Sequence, residues 1–408
     1  MPAGFAFLRR SGFHFLCLLV VLVNLTGCAG KLNKAAAQFH AGNPQAALKT
    51  LERGDHSGTR NQLLFLLEKG VVLHQLGQYQ QSAEQLLQAA SLIDSFEAIS
   101  LSEQAGSLVT NDWLTRYQGE YSERLWVHSY LMMNYLLLGQ YDDALVEAKQ
   151  ALKRLQQYPQ ALKHDYFTRA LIALCFANLA EDNDAYLVYR QLADDLPTPK
   201  PVAADIVYHA GKLGMQDEVE RFKRIMAAGS ADDAELVLFI AHGKIPEKQP
   251  GNVFLPPSIR FAFPYYAAAE IPGLKLTVSP VSRQALPLLS TDLGSVAQEA
   301  LEARKLRIIA KETVRAAAKE AIAQSVGNKN DAAAEVIVRV ALFLLEEPDT
   351  RCWKTLPGRL TLVRIPLAAG RHNLQLQLRS HGWADQQTID LPEFELRRGQ
   401  RAFRTLRF

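Results

Sequence analysis

"GQYDDALVEAKQA", Gly139 to Ala151, decides how the first half of this chain is read. The preceding "LMMNYLLL", Leu131 to Leu138, is an apolar helix pattern, and Gly139 with Tyr141 makes a compact turn out of it. Small residues follow at Ala144, Ala148 and Ala151, where a second helix must approach the first closely. The stretch is therefore one helical hairpin. "GQYQQSAEQLLQA" repeats it through Gly77, Tyr79, Ser82, Leu86 and Ala89, with Gly70 where the two helices touch.

Weaker copies flank these two: "GNPQAALKTL" from Gly42, "AEDNDAYLVYRQLADDLP" from Ala180 and "GMQDEVERFKRIM" from Gly214. Turns are thus expected at 42, 77, 139, 180 and 214. The unit resembles the tetratricopeptide repeat (TPR), a helix hairpin of about 34 residues. The interval from 77 to 139 is too long for one unit by about one helix. No single hairpin can bury its own apolar face, so the copies must stack into a solenoid.

The N-terminus carries an export signal. Arg9 and Arg10 precede an apolar "FLCLLVVLV", Phe15 to Val23, and "LTGC", Leu25 to Cys28, follows. That run is well short of the ~20 residues of a membrane-spanning helix. "LTGC" resembles the lipobox of bacterial lipoproteins, which implies cleavage before Cys28 and a diacylglycerol on its thiol. Ala29 and Gly30 offer no aspartate to retain the chain at the inner membrane, so the resemblance implies the periplasmic side of the outer membrane. Losing Arg9 and Arg10 with the leader takes the formal net charge from +3 to +1, and nothing in the charge balance points to nucleic acid. Of four cysteines, the resemblance implies that Cys17 leaves with the leader and that Cys28 is acylated. Cys175 and Cys352, far apart in the chain, are expected as separate thiols.

Near residue 230 the pattern changes to strands. "AELVLFIAHGKIP", "SIRFAFPYY", "GLKLTVSPV", "GRLTLVRIPL", "RHNLQLQLRS" and "AFRTLRF" follow, with turns at Gly370 and Gly399. Leu274, Leu276 and Val278 alternate on one face, as do Leu374, Leu376 and Leu378, which predicts half-buried antiparallel strands. Between strands, Ser295 to Val326 reads as a long helix without Gly or Pro, and a second helix is expected from Asp331. The fold class is multidomain: leader 1–27, an all-α TPR-like solenoid 28–230, and an α+β domain 231–408. The last is a small antiparallel sheet or sandwich with a helical insertion at 293–346.

The sequence assembles no catalytic or metal-binding motif, so no enzyme, cofactor or metal is expected. Three places can hold a partner. "NDWLTRYQGEYSER", Asn111 to Arg124, precedes the helix of the Gly139 hairpin, expected to begin near Leu125. Asn111 and Asp112 can cap a helix, Gly119 permits unusual backbone angles, Glu120 and Arg124 can pair one turn apart, and Tyr117 supplies a ring suited to binding or to packing. Arg307, Lys311, Arg315 and Lys319 recur every fourth residue along the long helix, a stripe that serves an anionic partner or a solvated face. In "EEPDTRCWKTLPGRL", Asp349 can pair with Arg351 while Trp353 anchors, which fits a corner pinning helix to sheet better than a site.

With "ND....Y.GE", "NYLLLG.YDDALVEA", "VRAAAKEA", "DTRCWKTLPGRL" and "AAGRHN" behind a lipobox, the chain resembles a family of bacterial TPR outer-membrane lipoproteins. The resemblance covers nearly the whole mature chain and implies work in the cell envelope, since the family's genes can neighbour a lipoprotein activator of a penicillin-binding protein. Asn111, Asp112, Tyr117, Gly119, Glu120, Arg315, Lys319, Asp349, Arg351 and Trp353 fall on its motif positions. The function expected is a lipid-anchored periplasmic scaffold whose TPR groove binds an envelope protein or peptide, with the membrane met through the anchor. The other reading is a module whose C-terminal domain binds peptidoglycan or another anionic glycan.

Overall fold

The computed structural model describes residues 30–53, 59–102, 116–226, 234–255, 259–267, 273–280, 288–327, 347–380 and 387–408. Helices α1 (30–40), α2 (Pro44–Leu51), α3 (Gln62–Gln75), α4 (Tyr79–Ser102), α5 (Tyr121–Leu138), α6 (Tyr141–Gln157), α7 (Tyr166–Asn178), α8 (Asp182–Asp195), α9 (Ala203–Lys212) and α10 (Gln216–Lys223) form the five expected hairpins. Each turn contains a left-handed residue: φ is +78° at Gly42, +73° at Gly77, +75° at Gly139, +58° at Ala180 and +75° at Gly214. At Gly139 the turn closes with Gly139 N donating to Leu136 O and Gln140 N to Tyr135 O, satisfying carbonyls the helix end leaves open. Only Ala180 takes that backbone with a side chain.

Close approach explains the small residues. A Cβ on Gly70 would lie 2.6 Å from Leu86 Cδ2, and Ala144, Ala148 and Ala151 are fully buried. α5 begins at Tyr121, not near Leu125. A capping box moves the start: the Glu120 side chain accepts from the N3 backbone, and Glu123 Oε2 accepts from Glu120 N at 2.9 Å.

The second half forms two sheets and two ribbons. The main sheet has the order β11 (Arg401–Arg407), β1 (Ala234–His242), β6 (Arg359–Leu367), β5 (Leu288–Asp292). A smaller sheet has the order β4 (Leu274–Ser279), β8 (Gln375–Ser380), β9 (Gln387–Asp390). β2 (Lys248–Leu255) pairs with β3 (Ile259–Tyr266), and β7 (Gly370–His372) with β10 (Phe394–Leu396). The pairing departs from the expected antiparallel pattern once: β11 runs parallel to β1, because the chain reaches it only after passing through the smaller sheet.

The main sheet lies between two layers. On one face Val237, Phe239, Leu360, Leu362 and Phe403 share a core with the helices. On the other, Leu236, Leu238, Ile240, Val363 and Ile365 pack against Leu276, Val278, Leu376 and Leu378 of the smaller sheet. β1 is therefore apolar nearly throughout, as a strand covered on both faces must be. The same arrangement buries α5 from Ser122 to Leu136 without a break, since it has helices on one side and the sheet on the other. α11 (Leu293–Gly327) is the expected long helix, and the helix expected from Asp331 lies outside the described residues. No helix among the described residues is long and apolar enough to cross a membrane.

Candidate functional site

The segment Tyr117–Arg124 and the segment Asp349–Thr355, distant in sequence, meet at the start of α5. Asp349 and Arg351 form the expected ion pair, with Arg351 Nη2 donating to Asp349 Oδ2 at 2.7 Å. The guanidinium of Arg351 lies over the Tyr117 ring at 5.4 Å and donates to Asn61 Oδ1 at 3.1 Å. Tyr117 N donates to Arg60 O at 2.8 Å, so the loop before α5 is fixed to the entry of α3. Gly119 turns the chain there with φ +78°.

Two buried carboxylates hold the 352–355 backbone. Glu123 Oε1 accepts from Trp353 N at 2.7 Å, and its Oε2 accepts from the Tyr117 hydroxyl. Glu68, from α3, accepts from Lys354 N at 2.8 Å and Thr355 N at 2.9 Å. Burial pushes Glu68 up to about 7, outweighing those hydrogen bonds, and burial likewise raises Glu123. Trp353 is completely buried, with its ring 5.8 Å from that of Tyr130, and its indole N–H has no acceptor among the described residues.

Glu120 is handled differently. Burial alone would raise it, but the Arg304 guanidinium and the Lys248 ammonium hold it down at about 2. Lys248 Nζ donates to Glu120 Oε1 at 2.7 Å, while Arg304, from α11, pairs with Oε2. Glu120 and Arg124 do not pair as expected. Arg124 turns the other way, donating to Gly119 O at 3.2 Å and pairing with Glu97 at 2.6 Å, because α4 brings a carboxylate to that side.

The structure thus gathers Tyr117, Glu120, Asp349, Arg351 and Trp353 at one junction and sends Arg124 to its flank. Arg307, Lys311, Arg315 and Lys319 lie along α11, but their side chains are outside the described residues, as are Cys28, Asn111 and Asp112 altogether. Sequence reasoning missed Glu68, Glu123, Lys248 and Arg304. Glu68 gave a signal in "LLFLLEKGVVL", a carboxylate inside an otherwise apolar helix; Lys248 and Arg304 gave none. Cys175 and Cys352 are free and buried, the latter pushed up to about 12 by burial. Among the described residues no cluster of three or more His, Cys, Asp or Glu is placed to hold a metal.

The junction also closes the surface that a groove would use. The inner face of α3, α5 and α7 is covered by the main sheet and by Trp353 and Leu356, which belong to the same core. The expected groove is therefore occupied by the chain itself.

No protein family matches the chain, and no curated protein matches it. Among solved structures it is similar to MamA of strain AMB-1, at 15% identity over 48% of this chain and 88% of that one, with a TM-score of 0.34. A second MamA structure shows 12% identity, 48% and 88% coverage and a TM-score of 0.35. A Podosopora anserina kinesin-light-chain protein of nearly identical TPR-like repeats shows 15% identity, 48% and 92% coverage and a TM-score of 0.34. The repeat assignment rests on the five hairpins themselves.

Proposed function

We propose that the chain is a lipid-anchored scaffold on the periplasmic side of the outer membrane that holds a protein partner in the work of the cell envelope. Stacked TPR-like hairpins support the scaffold reading, since such solenoids offer extended surfaces to proteins. The leader and Cys28 support the location. The observation that carries the partner surface is the sealing of the inner helix face by the sheet: recognition falls to the outward helices. There Val146 of α6 and Leu187 of α8 sit at equivalent places, following the turn residues Gly139 and Ala180 by the same interval, and are 54% and 48% exposed.

The test places a photoreactive residue at Val146 or Leu187 in living cells, in the parent and in a Cys28→Ser background. The expected result is one protein adduct common to both positions and lost with the anchor, together with loss of fatty-acid labelling in Cys28→Ser. Adducts confined to peptidoglycan or lipopolysaccharide would overturn the protein scaffold. Continued labelling of Cys28→Ser would overturn the anchor.

A further inference from the structure

The β2–β3 ribbon has two unlike faces. Lys248, Ala262 and Tyr266 are buried on one, where β3 packs along α11 and Lys248 reaches Glu120. The opposite face has the cross-strand pairs Gln249 with Tyr265 and Gly251 with Phe263, followed by Val253. The Phe263 ring lies on Gly251, where a Cβ would meet it at 2.7 Å. Val253 is 47% exposed and Tyr265 43% exposed. Val253, Phe263 and Tyr265 thus lie on the outward side of a ribbon with no second layer among the described residues.

Where this ribbon sits is set by the solenoid. Helices α1, α3, α5 and α7 are alternate members of antiparallel hairpins, so all begin at one end of the stack. That end contains Arg60, Tyr117 and Glu120, and α11 crosses it, with Glu299 bonded to His164 at 2.8 Å and Arg304 paired with Glu120. Gly30, the first described residue, lies in α1 at the same end, two positions after Cys28. An acyl chain on Cys28 therefore holds this end of the molecule within roughly 7 Å of extended chain from the bilayer.

We infer that the outward face of β2–β3 is a membrane-docking surface that lies in the interface of the bilayer, an inference that rests on the anchor proposed above. Its chemistry matches that occupant. Residues 248–266 contain no aspartate or glutamate, in a chain with 42 acidic residues, so the ribbon brings no negative charge to the headgroups. Tyr265 has the apolar body and polar tip that favour the headgroup level. The depth is limited by the backbone: among the described residues no strand pairs with the outer edges of β2 and β3, and unpaired N–H and C=O groups are excluded from hydrocarbon. The ribbon lies in the interface and does not span it.

The experiment uses the full lipidated chain with Val253→Cys or Tyr265→Cys, labelled with a nitroxide and reconstituted in vesicles of phosphatidylethanolamine and phosphatidylglycerol. Cys175 and Cys352 are buried and stay unlabelled. Asp142→Cys, exposed at the opposite end of the solenoid, is the aqueous control. The ratio of oxygen to nickel-chelate accessibility should rise several-fold at 253 and 265 and stay unchanged at 142. Labels at 253 and 265 that match the control, on an acylated chain that floats with the vesicles, overturn the docking surface alone. Shielding from both reagents in detergent, with dipolar coupling between labels on two chains, overturns it in favour of a second copy. Fatty-acid labelling of the same preparation separates the anchor: an unacylated chain that does not float overturns both readings, and one that floats with 253 in the hydrocarbon retains the docking surface without the anchor.

Discussion

The two faces of the main sheet are built from different chemistry. Toward the smaller sheet the core is mostly aliphatic, and its buried polar side chains sit at the margin, including Thr361, bonded to Ser290 at 2.9 Å, and His242 at the end of β1. Toward the helices, aromatic packing is interrupted by buried polar groups: Glu68 and Glu123 on the 352–355 backbone, His74 bonded to Asn134 at 2.7 Å, and Asp165 accepting from Trp126 at 2.8 Å and Thr291 at 3.2 Å. Apolar contact rewards any arrangement that excludes water, whereas each of these hydrogen bonds is satisfied in one register only. The aliphatic layer supplies burial; the polar layer fixes how sheet and solenoid meet.

The largest effect should come from the polar layer. Glu123→Ala leaves Trp353 N, Glu120 N and the Tyr117 hydroxyl without their acceptor. At about 1–3 kcal/mol for each buried donor left unsatisfied, the loss is on the order of 4 kcal/mol, measured by urea unfolding. A variant within about 0.5 kcal/mol of the parent would remove this carboxylate from the account of the interface.

A smaller effect separates two titrating groups of the same layer. Burial holds His74 down at about 4, so the unfolded chain takes its proton first and stability falls as pH drops from about 6.5 to about 4, by roughly 3 kcal/mol in full. Glu68 acts oppositely. Raised to about 7 by burial, it favours the folded state while protonated, and its contribution is lost as pH rises from about 4.5 to about 7. The two slopes offset one another where they overlap. His74→Gln should therefore leave stability that declines as pH rises through this range, and Glu68→Gln stability that declines as pH falls. Urea midpoints at several pH values check both signs, and parallel profiles for the two variants would contradict the assignment.

The smallest effect belongs to the aliphatic layer. Ile365→Val removes one methylene from the aliphatic core and should cost about 0.5–1.5 kcal/mol with no change in pH profile. A pH-dependent loss there would mean that the two layers are coupled through the sheet.

The sequence alone determined what depends on neighbours along the chain. Turns at 42, 77, 139, 180 and 214 were legible because left-handed residues and small contact positions repeat locally. So were the alternating strands β4 and β8, the Asp349–Arg351 pair two residues apart, and the anchoring role of Trp353. Tertiary structure decided the rest. Glu120 has a cation four residues away in Arg124, yet pairs with Lys248 and Arg304, from β2 and α11, because Glu97 reaches Arg124 first. The solenoid's inner face became a core and not a groove for the same reason: stacked hairpins leave an apolar surface open, and only the path of the later chain determines whether a partner or its own sheet covers it. Backbone preference and periodicity act over a few residues, whereas the partner of a buried charge is set by which distant segment the closed fold brings within hydrogen-bond reach.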